Sequence, residues 1–318
     1  MRLSDLGERA LIEEIRKVID RKHEFIGDDC AYLPIDGDYL LITTDMVRRK
    51  THIPKVMKAR DIGWFVAAVN LSDIAAMGGN PLGLLLSLGL PEDMDSSTVK
   101  EIMQGAKECA ERYGIHIIGG DTKEHDELTI SGTAVGIVSK DEILLRTGMR
   151  EGDILAVTGC LGKAGAGYLA LRHGIENVSL DGLIHPVPRI EEGRKLSKYA
   201  TSCMDISDGL ASSLYQLMVV NNLGFELNAE KIPISEVAVS VAEKLDIDAY
   251  TIATDYGGDY ELLVTIPPEK FEDAKKEFSK TPLIPIGRVV KENRITIISN
   301  GEKKELKNIG YEHFRDVG

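Results

Sequence analysis

The sequence has few cysteines and a deficit of positive charge, and both features exclude classes of protein. Its four cysteines are widely spaced and form no Cys-x-x-Cys pair, so we expect a reducing compartment and no zinc site. Lys and Arg total 38 against 51 Asp and Glu, which gives a formal net charge of −13. Such a chain is not expected to bind nucleic acid or an anionic membrane over a general surface.

Long apolar segments are also lacking. Residues 82–90 form one of the longest apolar runs, and a helix that spans a membrane needs about 20 such residues. The first residues, MRLSDLGERALIEEI, carry charges throughout, which is not the pattern of a signal peptide. We therefore expect a cytoplasmic protein with no membrane segment. A length of 318 residues favours two domains over a single core.

The stretch from residue 59 to residue 81 predicts a helix. Its apolar residues recur at spacings of three and four, and Gly78-Gly79 before Pro81 is typical of a helix end. Asp73 lies on the same stripe as Val66, Val69 and Met77. A carboxylate that faces a core is costly unless it is paired or binds a metal. For this residue alone, a buried hydroxyl or Arg partner and a metal ion are equally acceptable interpretations.

The remaining pattern predicts an α+β or α/β fold in two halves. Turn residues and charges cluster at residues 146–152, so we place one domain at residues 1–147 and a second at 148–318. The first half is predicted to contain helices at 4–19 and from 96, and strands at 38–44, 82–90, 115–118 and 127–139. The second is predicted to contain strands at 153–158, 202–206, 262–266, 283–289 and 294–299, with helices at 159–173, 189–199, from 210, 235–245 and 267–280.

Aspartates recur where apolar segments end, each near a Gly or a hydroxyl residue. Six share this setting: Asp29, Asp45, Asp73, Asp121, Asp205 and Asp208. Mg²⁺ binds carboxylates together with nucleotide phosphate oxygens, and the free N–H groups of a helix N-terminus suit phosphate. The set could hold two or more Mg²⁺ ions against a triphosphate. For any single site, ordinary turn chemistry explains an Asp next to Gly equally well.

Two segments resemble known phosphate-binding motifs, but both matches are weak. The segment Gly159-Cys160-Leu161-Gly162-Lys163-Ala164 lacks the spacing and the Ser or Thr of a Walker A motif. Gly165 and Gly167 fit the G-x-G-x-x-A form, but they lie well past the preceding strand. Close helix packing explains these glycines better.

Several motifs together resemble the thiamine-monophosphate kinases, of the aminoimidazole-ribotide-synthetase-like superfamily. They run in family order over nearly the whole chain: Gly27-Asp28-Asp29-Cys30-Ala31, Thr43-Thr44-Asp45 with His52, Asn70-Leu71-Ser72-Asp73, Gly119-Gly120-Asp121-Thr122, Arg146-Thr147-Gly148, Asp205-Ile206-Ser207-Asp208-Gly209, Asp259-Tyr260-Glu261 and Gly310-Tyr311-Glu312-His313-Phe314. The combination of Asn-Leu-Ser-Asp with Asp-Ile-Ser-Asp-Gly is specific, whereas each motif alone is weak.

The resemblance implies phosphorylation of thiamine monophosphate by ATP, with Mg²⁺ as cofactor. Because positioning and charge neutralisation supply most of the catalysis of phosphoryl transfer, we expect no covalent nucleophile. It implies a homodimer formed through the N-terminal sheet domains, with a C-terminal α/β domain over the site. The implied metal ligands are Asp29, Thr44, Asp45, Asp73, Asp121, Asp205 and Asp208. The implied ATP contacts are Thr43, Gly120, Asp121, Arg146 and Ser207, and the implied substrate contacts are His52 and Tyr311. Where the family often has Gly-Glu-Asp-Tyr-Glu, this chain has Gly258 in place of the first Glu.

Other functions remain open at this point. A selenophosphate synthetase would be expected to carry a reactive Cys followed by Lys near a Gly-rich N-terminal loop, and the sequence has none. A hydrogenase-maturation relative would be expected to end in a reactive Cys, whereas these last residues are Arg315-Asp316-Val317-Gly318. A non-catalytic nucleotide sensor could keep the same fold, but the presence of all six aspartates argues against that interpretation.

Overall fold

The computed structural model describes residues 2–19, 27–307 and 314. The first half contains α1 (Leu3–Leu6), α2 (Glu8–Val18), β1 (Ala31–Ile35), β2 (Asp38–Arg48), α3 (Ala59–Ala76), β3 (Asn80–Leu90), α4 (Ser96–Arg112), β4 (Ile117–Glu124) and β5 (Thr129–Ser139). The second half contains β6 (Ile154–Thr158), α5 (Lys163–His173), α6 (Asp181–Ile184), α7 (Ile190–Leu196), β7 (Ser202–Asp205), α8 (Leu210–Asn221), β8 (Gly224–Asn228), α9 (Glu236–Leu245), α10 (Ala249–Asp255), β9 (Leu262–Ile266), α11 (Pro268–Lys276), β10 (Leu283–Val290), β11 (Ile295–Ser299) and β12 (Glu302–Glu305).

The first sheet has five strands in the order β1-β2-β5-β3-β4. Its pairs are antiparallel except for β3 with β4, which are parallel. Helices α3 and α4 and one face of the sheet share a hydrophobic core. On β2 and β5 buried and more exposed residues alternate, which is the pattern of a sheet with one packed face.

Helix α3 is the central element of the molecule. The Asp61 carboxylate accepts a hydrogen bond from the Lys58 backbone N–H at 2.9 Å and so caps the first turn. The helix is buried on almost every side, because it packs against α4 and the first sheet and also against α7 and β7. Glycines permit the close approach to α4: a Cβ on Gly63 would lie 1.8 Å from the Ile102 carbonyl oxygen.

The second sheet has seven strands in the order β12-β11-β8-β10-β6-β9-β7. One core lies between this sheet and α8 and includes Leu210, Leu214 and Phe225. Another lies under α7 and α11, and it also contains Ala76 from the end of α3. The expected α+β or α/β architecture is therefore confirmed, with helices packed on two mixed sheets.

Some predicted boundaries were wrong, and local causes explain most of them. The first helix is two helices separated at Gly7, whose φ is +79°. Strand β2 continues through Arg48, because it pairs with β5 along its full length. The Gly119-Gly120-Asp121 segment lies within β4 and does not follow a strand. Asp95, and neither Ser96 nor Ser97, caps α4. The short elements β1, β8, α10 and β12 were not predicted.

Within the part of the chain that the structure describes, no helix has the length and apolarity needed to cross a bilayer.

Candidate functional site

Three carboxylates from distant parts of the sequence converge between the two sheets. Asp29 precedes β1, Asp73 lies on the last turns of α3, and Asp205 ends β7. Their oxygen atoms lie within 4.8 Å of one another. The convergence depends on α3, which lies against both β2 and β7. Three carboxylates at this spacing are a suitable ligand set for a hard divalent cation.

Two hydroxyl groups orient members of this cluster. Thr43 Oγ1 donates a hydrogen bond to Asp73 Oδ2 at 2.5 Å. Ser72 Oγ donates to Asp205 Oδ2, also at 2.5 Å, and this contact joins α3 to the edge of the second sheet. Ser72 and Asp205 are both buried, so the hydrogen bond fixes the carboxylate in a place that water hardly reaches.

Asn70 positions the strand that carries Asp45. Its side-chain oxygen accepts a hydrogen bond from the Asp45 backbone N–H at 3.0 Å, and its amide nitrogen donates to the Val66 carbonyl at 2.9 Å. Gly132 of β5 allows this approach, because a Cβ there would lie 2.2 Å from the Asn70 amide nitrogen. Asn70 is fully buried. The motif that contains Asp73 therefore also orders the backbone beside Asp45.

Arg146 is a positively charged residue in direct contact with the cluster. Its guanidinium donates to Asp29 Oδ1 at 2.6 Å and to the Gln216 side-chain oxygen at 3.1 Å. Its backbone N–H donates to Asp28 Oδ2 at 3.0 Å. The other Asp29 oxygen, Oδ2, is buried and has no hydrogen-bond partner among the described residues. A buried, unpaired carboxylate oxygen that points into a group of carboxylates fits a bound cation.

The cluster holds more negative charge than its protein partners balance. Burial, followed by the charge of Asp29, raises the pKa of Asp205 to about 8. Burial and then the charge of Asp45 raise the pKa of Asp73 well above its ordinary value. The pKa of Asp45 is raised by burial and by Asp29. A divalent cation would remove this repulsion and favour the ionised carboxylates.

Ser207 and Asp208 lie in the turn between β7 and α8, and a neighbouring loop holds this turn. The Gly258 N–H donates to the Ser207 carbonyl at 2.7 Å, and the Tyr260 N–H donates to the Ile206 carbonyl at 3.0 Å. The approach is close, because a Cβ on Gly257 would lie 2.1 Å from the Ser207 oxygen. The loop backbone therefore sets the position of both predicted ligands.

Glu261 anchors this loop in a buried polar network. Its side chain is 0% exposed. Arg189 donates to both carboxylate oxygens, at 2.6 and 2.7 Å. Lys163 Nζ and Thr158 Oγ1 donate at 3.1 and 2.8 Å. The neighbouring Asp259 accepts hydrogen bonds from backbone N–H groups at the start of α5. Bidentate Arg–carboxylate pairs are geometrically specific, so this loop has a well-defined conformation.

Thr44 and Asp121, two predicted metal ligands, lie on a different surface. Thr43 contacts Asp73, so the next residue, Thr44, faces the opposite side of the sheet, where its hydroxyl meets Ser131 at 3.2 Å. Asp121 lies on the edge strand β4 with its side chain 61% exposed, 3.9 Å from Lys123. In the sheet register, Asp121 of β4 pairs with Ser87 of β3, and Ser87 pairs in turn with Ser131 of β5. Both residues therefore belong to the outer face of the first sheet.

The remaining predicted residues have other settings. Gly120 lies on β4 next to Asp121. The His52 Nδ1 atom accepts a hydrogen bond from the Arg48 N–H at 3.3 Å and lies 2.7 Å from Thr51 Oγ1, so its ring contacts its own turn. Tyr311 lies outside the described residues.

Sequence reasoning missed several side chains that organise the site. Asn70 and Ser72 stand in the same motif as Asp73 and could have been found by asking what orients the carboxylates. Gln216 and Arg189 had no such signal, because their partners are 70 and 72 residues away in the sequence.

Comparisons with known proteins show the protein family to which the chain belongs. Residues 27–138 match the family "AIR synthase related protein, N-terminal domain", and residues 150–300 match the corresponding C-terminal domain. The chain therefore belongs to the AIR-synthase-related proteins. A HypE hydrogenase maturation protein at 20% identity, with a TM-score of 0.74 over 90% of this chain and 94% of that chain, shares this fold.

Closer relatives define the group within that class. The thiamine-monophosphate kinase of Pyrococcus abyssi is 36% identical, covering 91% of this chain and 90% of that protein. The enzyme of Methanospirillum hungatei is 37% identical over 97% and 99%. A structure of "AaThiL complexed with AMPPCP and TMP" superposes with a TM-score of 0.89 at 32% identity, covering 98% and 99% of the two chains. The chain belongs to the thiamine-monophosphate kinase family.

Proposed function

We propose that this protein transfers the γ-phosphoryl group of ATP to thiamine monophosphate and so produces thiamine diphosphate. The observation that carries the proposal is the partly buried group of Asp29, Asp73 and Asp205, which occurs in a member of this kinase family. A related structure at 32% identity contains AMPPCP, an analogue of ATP, together with TMP. Both proposed substrates are phosphate anions, and a phosphate-binding site among carboxylates requires cations between them.

Mg²⁺ is the proposed cofactor, in two or more ions. Bound Mg²⁺ would neutralise the phosphate oxygens and their developing charge during transfer. The unpaired Asp29 Oδ2 atom supports this choice, because it is a buried acceptor beside two further carboxylates. The proposed ligands are Asp29, Thr44, Asp45, Asp73, Asp121, Asp205 and Asp208.

The proposed ATP contacts are Thr43, Gly120, Asp121, Arg146 and Ser207. Arg146 offers a guanidinium beside the cluster. Ser207 precedes α8, whose N-terminus has no side-chain cap, so its backbone N–H groups are suited to phosphate oxygens. For thiamine monophosphate we propose contacts from His52 and Tyr311.

We propose a homodimer that pairs the outer faces of the first sheet. Ile118, Met46 and Leu82 are 61%, 57% and 50% exposed there, and exposed apolar residues on a sheet beside an open edge strand favour an interface. The same face carries Thr44 and Asp121. Pairing would enclose these two proposed ligands, which the single chain leaves at an exposed surface.

The division into domains at residues 147 and 148 and a cytoplasmic location also belong to this proposal. The division is supported by the two sheets, whose strands occupy residues 31–139 and 154–305. The location is supported by the four cysteines, which are all free in the described structure.

The reaction should be a direct, in-line transfer without a phosphoenzyme. Positioning and charge neutralisation supply most of the catalysis of phosphoryl transfer. The acceptor is an anionic phosphate oxygen, so it needs no strong general base. The chain therefore has to hold two anions close together, and carboxylates from both halves are oriented for this: Ser72 and Thr43 donate hydrogen bonds to Asp205 and Asp73, and Arg146 supplies a fixed positive charge.

The decisive experiment incubates the protein with ATP, Mg²⁺ and thiamine monophosphate and measures thiamine diphosphate by chromatography. Unphosphorylated thiamine serves as the control acceptor, and EDTA as the metal-free control. We expect product with thiamine monophosphate only, and inversion of configuration at a chiral γ-phosphorus. ATP binding without any product would instead indicate a nucleotide sensor, and retention would require an enzyme-bound phosphate.

A further inference from the structure

The segment of residues 186–189, just before α7, belongs to the second half in sequence but is held by the first half. Trp64 of α3 donates its indole N–H to the Pro186 carbonyl at 3.0 Å, and the Tyr113 hydroxyl, at the end of α4, donates to the Pro188 carbonyl at 3.0 Å. Both prolines are buried. Their rings restrict the backbone and leave it no N–H at these positions, so these two hydrogen bonds fix a stiff segment against α3 and α4.

Arg189 ends this segment and connects it to the second half. Its guanidinium donates to both carboxylate oxygens of Glu261, and the two side chains are only 15% and 0% exposed. Such a bidentate pair is geometrically specific, and burial limits its screening by salt. The helix that follows Arg189 is also held closely, because a Cβ on Gly193 would lie 2.0 Å from the Ala75 carbonyl oxygen of α3. Arg189 therefore fixes Glu261 relative to α3.

Glu261 in turn holds the turn that follows β7, through the backbone. Its carbonyl oxygen accepts a hydrogen bond from the Ile206 N–H at 2.8 Å, and the neighbouring Tyr260 N–H donates to the Ile206 carbonyl at 3.0 Å. Ile206 is thus bonded to the loop on both sides of its backbone. The next two residues are Ser207 and Asp208, so a displacement of Glu261 would displace the turn that carries them.

We propose that Arg189 is a positioning residue for the Mg²⁺–nucleotide: acting through Glu261, it holds the turn of Ser207 and Asp208 in place relative to α3, which carries Asp73. The inference rests on the proposed function, because that function assigns Ser207 to ATP and both aspartates to the metal. Helix α3 provides one Asp directly and anchors the segment that ends in Arg189. Ligands from the two halves are therefore positioned against the same helix. Residues that orient metal ligands affect metal affinity and activity even without touching the ion.

The first test is Arg189→Lys, which keeps a positive charge beside the buried Glu261 but loses the planar fork that binds both oxygens. The matched control is Arg288→Lys, from an Arg–Glu pair between β10 and β8. The measured quantities are the Kd of Mg²⁺–AMPPCP by calorimetry, KM for each substrate and the midpoint of thermal unfolding. We expect Arg189→Lys to weaken Mg²⁺–AMPPCP by about 10- to 100-fold, the range for residues that orient metal ligands, and to raise KM for ATP more than KM for thiamine monophosphate. The control should bind like the wild type.

A second variant tests whether Arg189 acts through Glu261. Glu261→Gln keeps the shape of the side chain and removes its charge, and it should also weaken Mg²⁺–AMPPCP. Adding Arg189→Lys to Glu261→Gln should then cause little further loss, because residues that act through one contact are not additive. All Kd values are measured at a temperature at which each variant is folded. Fully additive losses would overturn the proposed route.

A merely structural role would lower the unfolding midpoint of Arg189→Lys and leave its Kd for Mg²⁺–AMPPCP unchanged, and that result would overturn the proposal. An equal loss of affinity in Arg288→Lys, or a larger rise in KM for thiamine monophosphate than for ATP, would do the same. A wild type that binds Mg²⁺–AMPPCP but makes no thiamine diphosphate would refute the proposed function, and the Kd values would still decide the role of Arg189. A wild type without affinity for Mg²⁺–AMPPCP would overturn both.

Discussion

The metal-free protein should lose stability as the pH rises from about 5 to about 8. Burial and then the charge of Asp29 raise the pKa of Asp205 from its ordinary value of 3.8 to about 8. Burial and then Asp29 likewise raise the pKa of Asp28 to about 7. Over this interval the folded chain binds more protons than the unfolded chain, so the free energy of unfolding falls as the pH rises. Above the folded pKa values the fall should end.

The magnitude follows from Asp205, whose side chain is buried and therefore poorly screened. A change in pKa from 3.8 to about 8 corresponds to roughly 6 kcal/mol at most, at about 1.4 kcal/mol for each unit. For a chain of this size that free energy corresponds to a fall in Tm of about 10 °C. Mg²⁺ at about 100 times its Kd should restore about 2.7 kcal/mol, because it favours the ionised carboxylates.

The assay is thermal unfolding by circular dichroism between pH 5 and pH 9, in EDTA and in excess Mg²⁺. Asp205→Asn removes the charge but keeps an oxygen that can accept the Ser72 hydrogen bond, so this variant should have a flatter profile and a higher Tm at pH 8 without metal. Asp93→Asn, at an exposed loop position, is the matched control and should follow the wild type. A wild-type Tm in EDTA that is constant or rises from pH 5 to pH 8 would refute the reasoning.

Three further predictions concern the site and the assembly. The variants Asp73→Asn and Asp208→Asn should fold normally and lose at least about 100-fold in kcat, because loss of metal-site charge stabilisation raises the barrier by several kcal/mol. Wild-type turnover in either variant would exclude that residue as a metal ligand. His52→Ala should raise KM for thiamine monophosphate more than KM for ATP, and equal changes would instead indicate a nucleotide or folding defect. The wild type should sediment as a dimer at micromolar concentration. The variant Ile118→Arg should sediment as a monomer, because Arg would place a charge on the proposed apolar interface. A monomeric wild type would contradict the homodimer.

Local sequence was sufficient to predict much of the fold. The apolar spacing within residues 59–81 and the helix end expected at Gly78-Gly79 predicted α3 within one turn, because a helix of this length is specified by its own apolar spacing and its ends. The short strands β1 and β8 were missed. Each contributes few residues to a pattern. Strand β1 is stabilised by pairing with the adjacent β2, and β8 by pairing with β10 and β11, which lie far along the chain.

The sequence by itself determined which residue types were available for the chemistry, because each aspartate belongs to a short motif of consecutive residues. Only the tertiary structure decided which of them meet. Asp29, Asp73 and Asp205 converge, whereas Thr44 and Asp121 lie on the outer face of the first sheet. The hydrogen bond between Ser72 and Asp205 joins residues 133 positions apart. Contacts of this kind depend on how α3 packs between two sheets, and no local pattern in the chain encodes that packing.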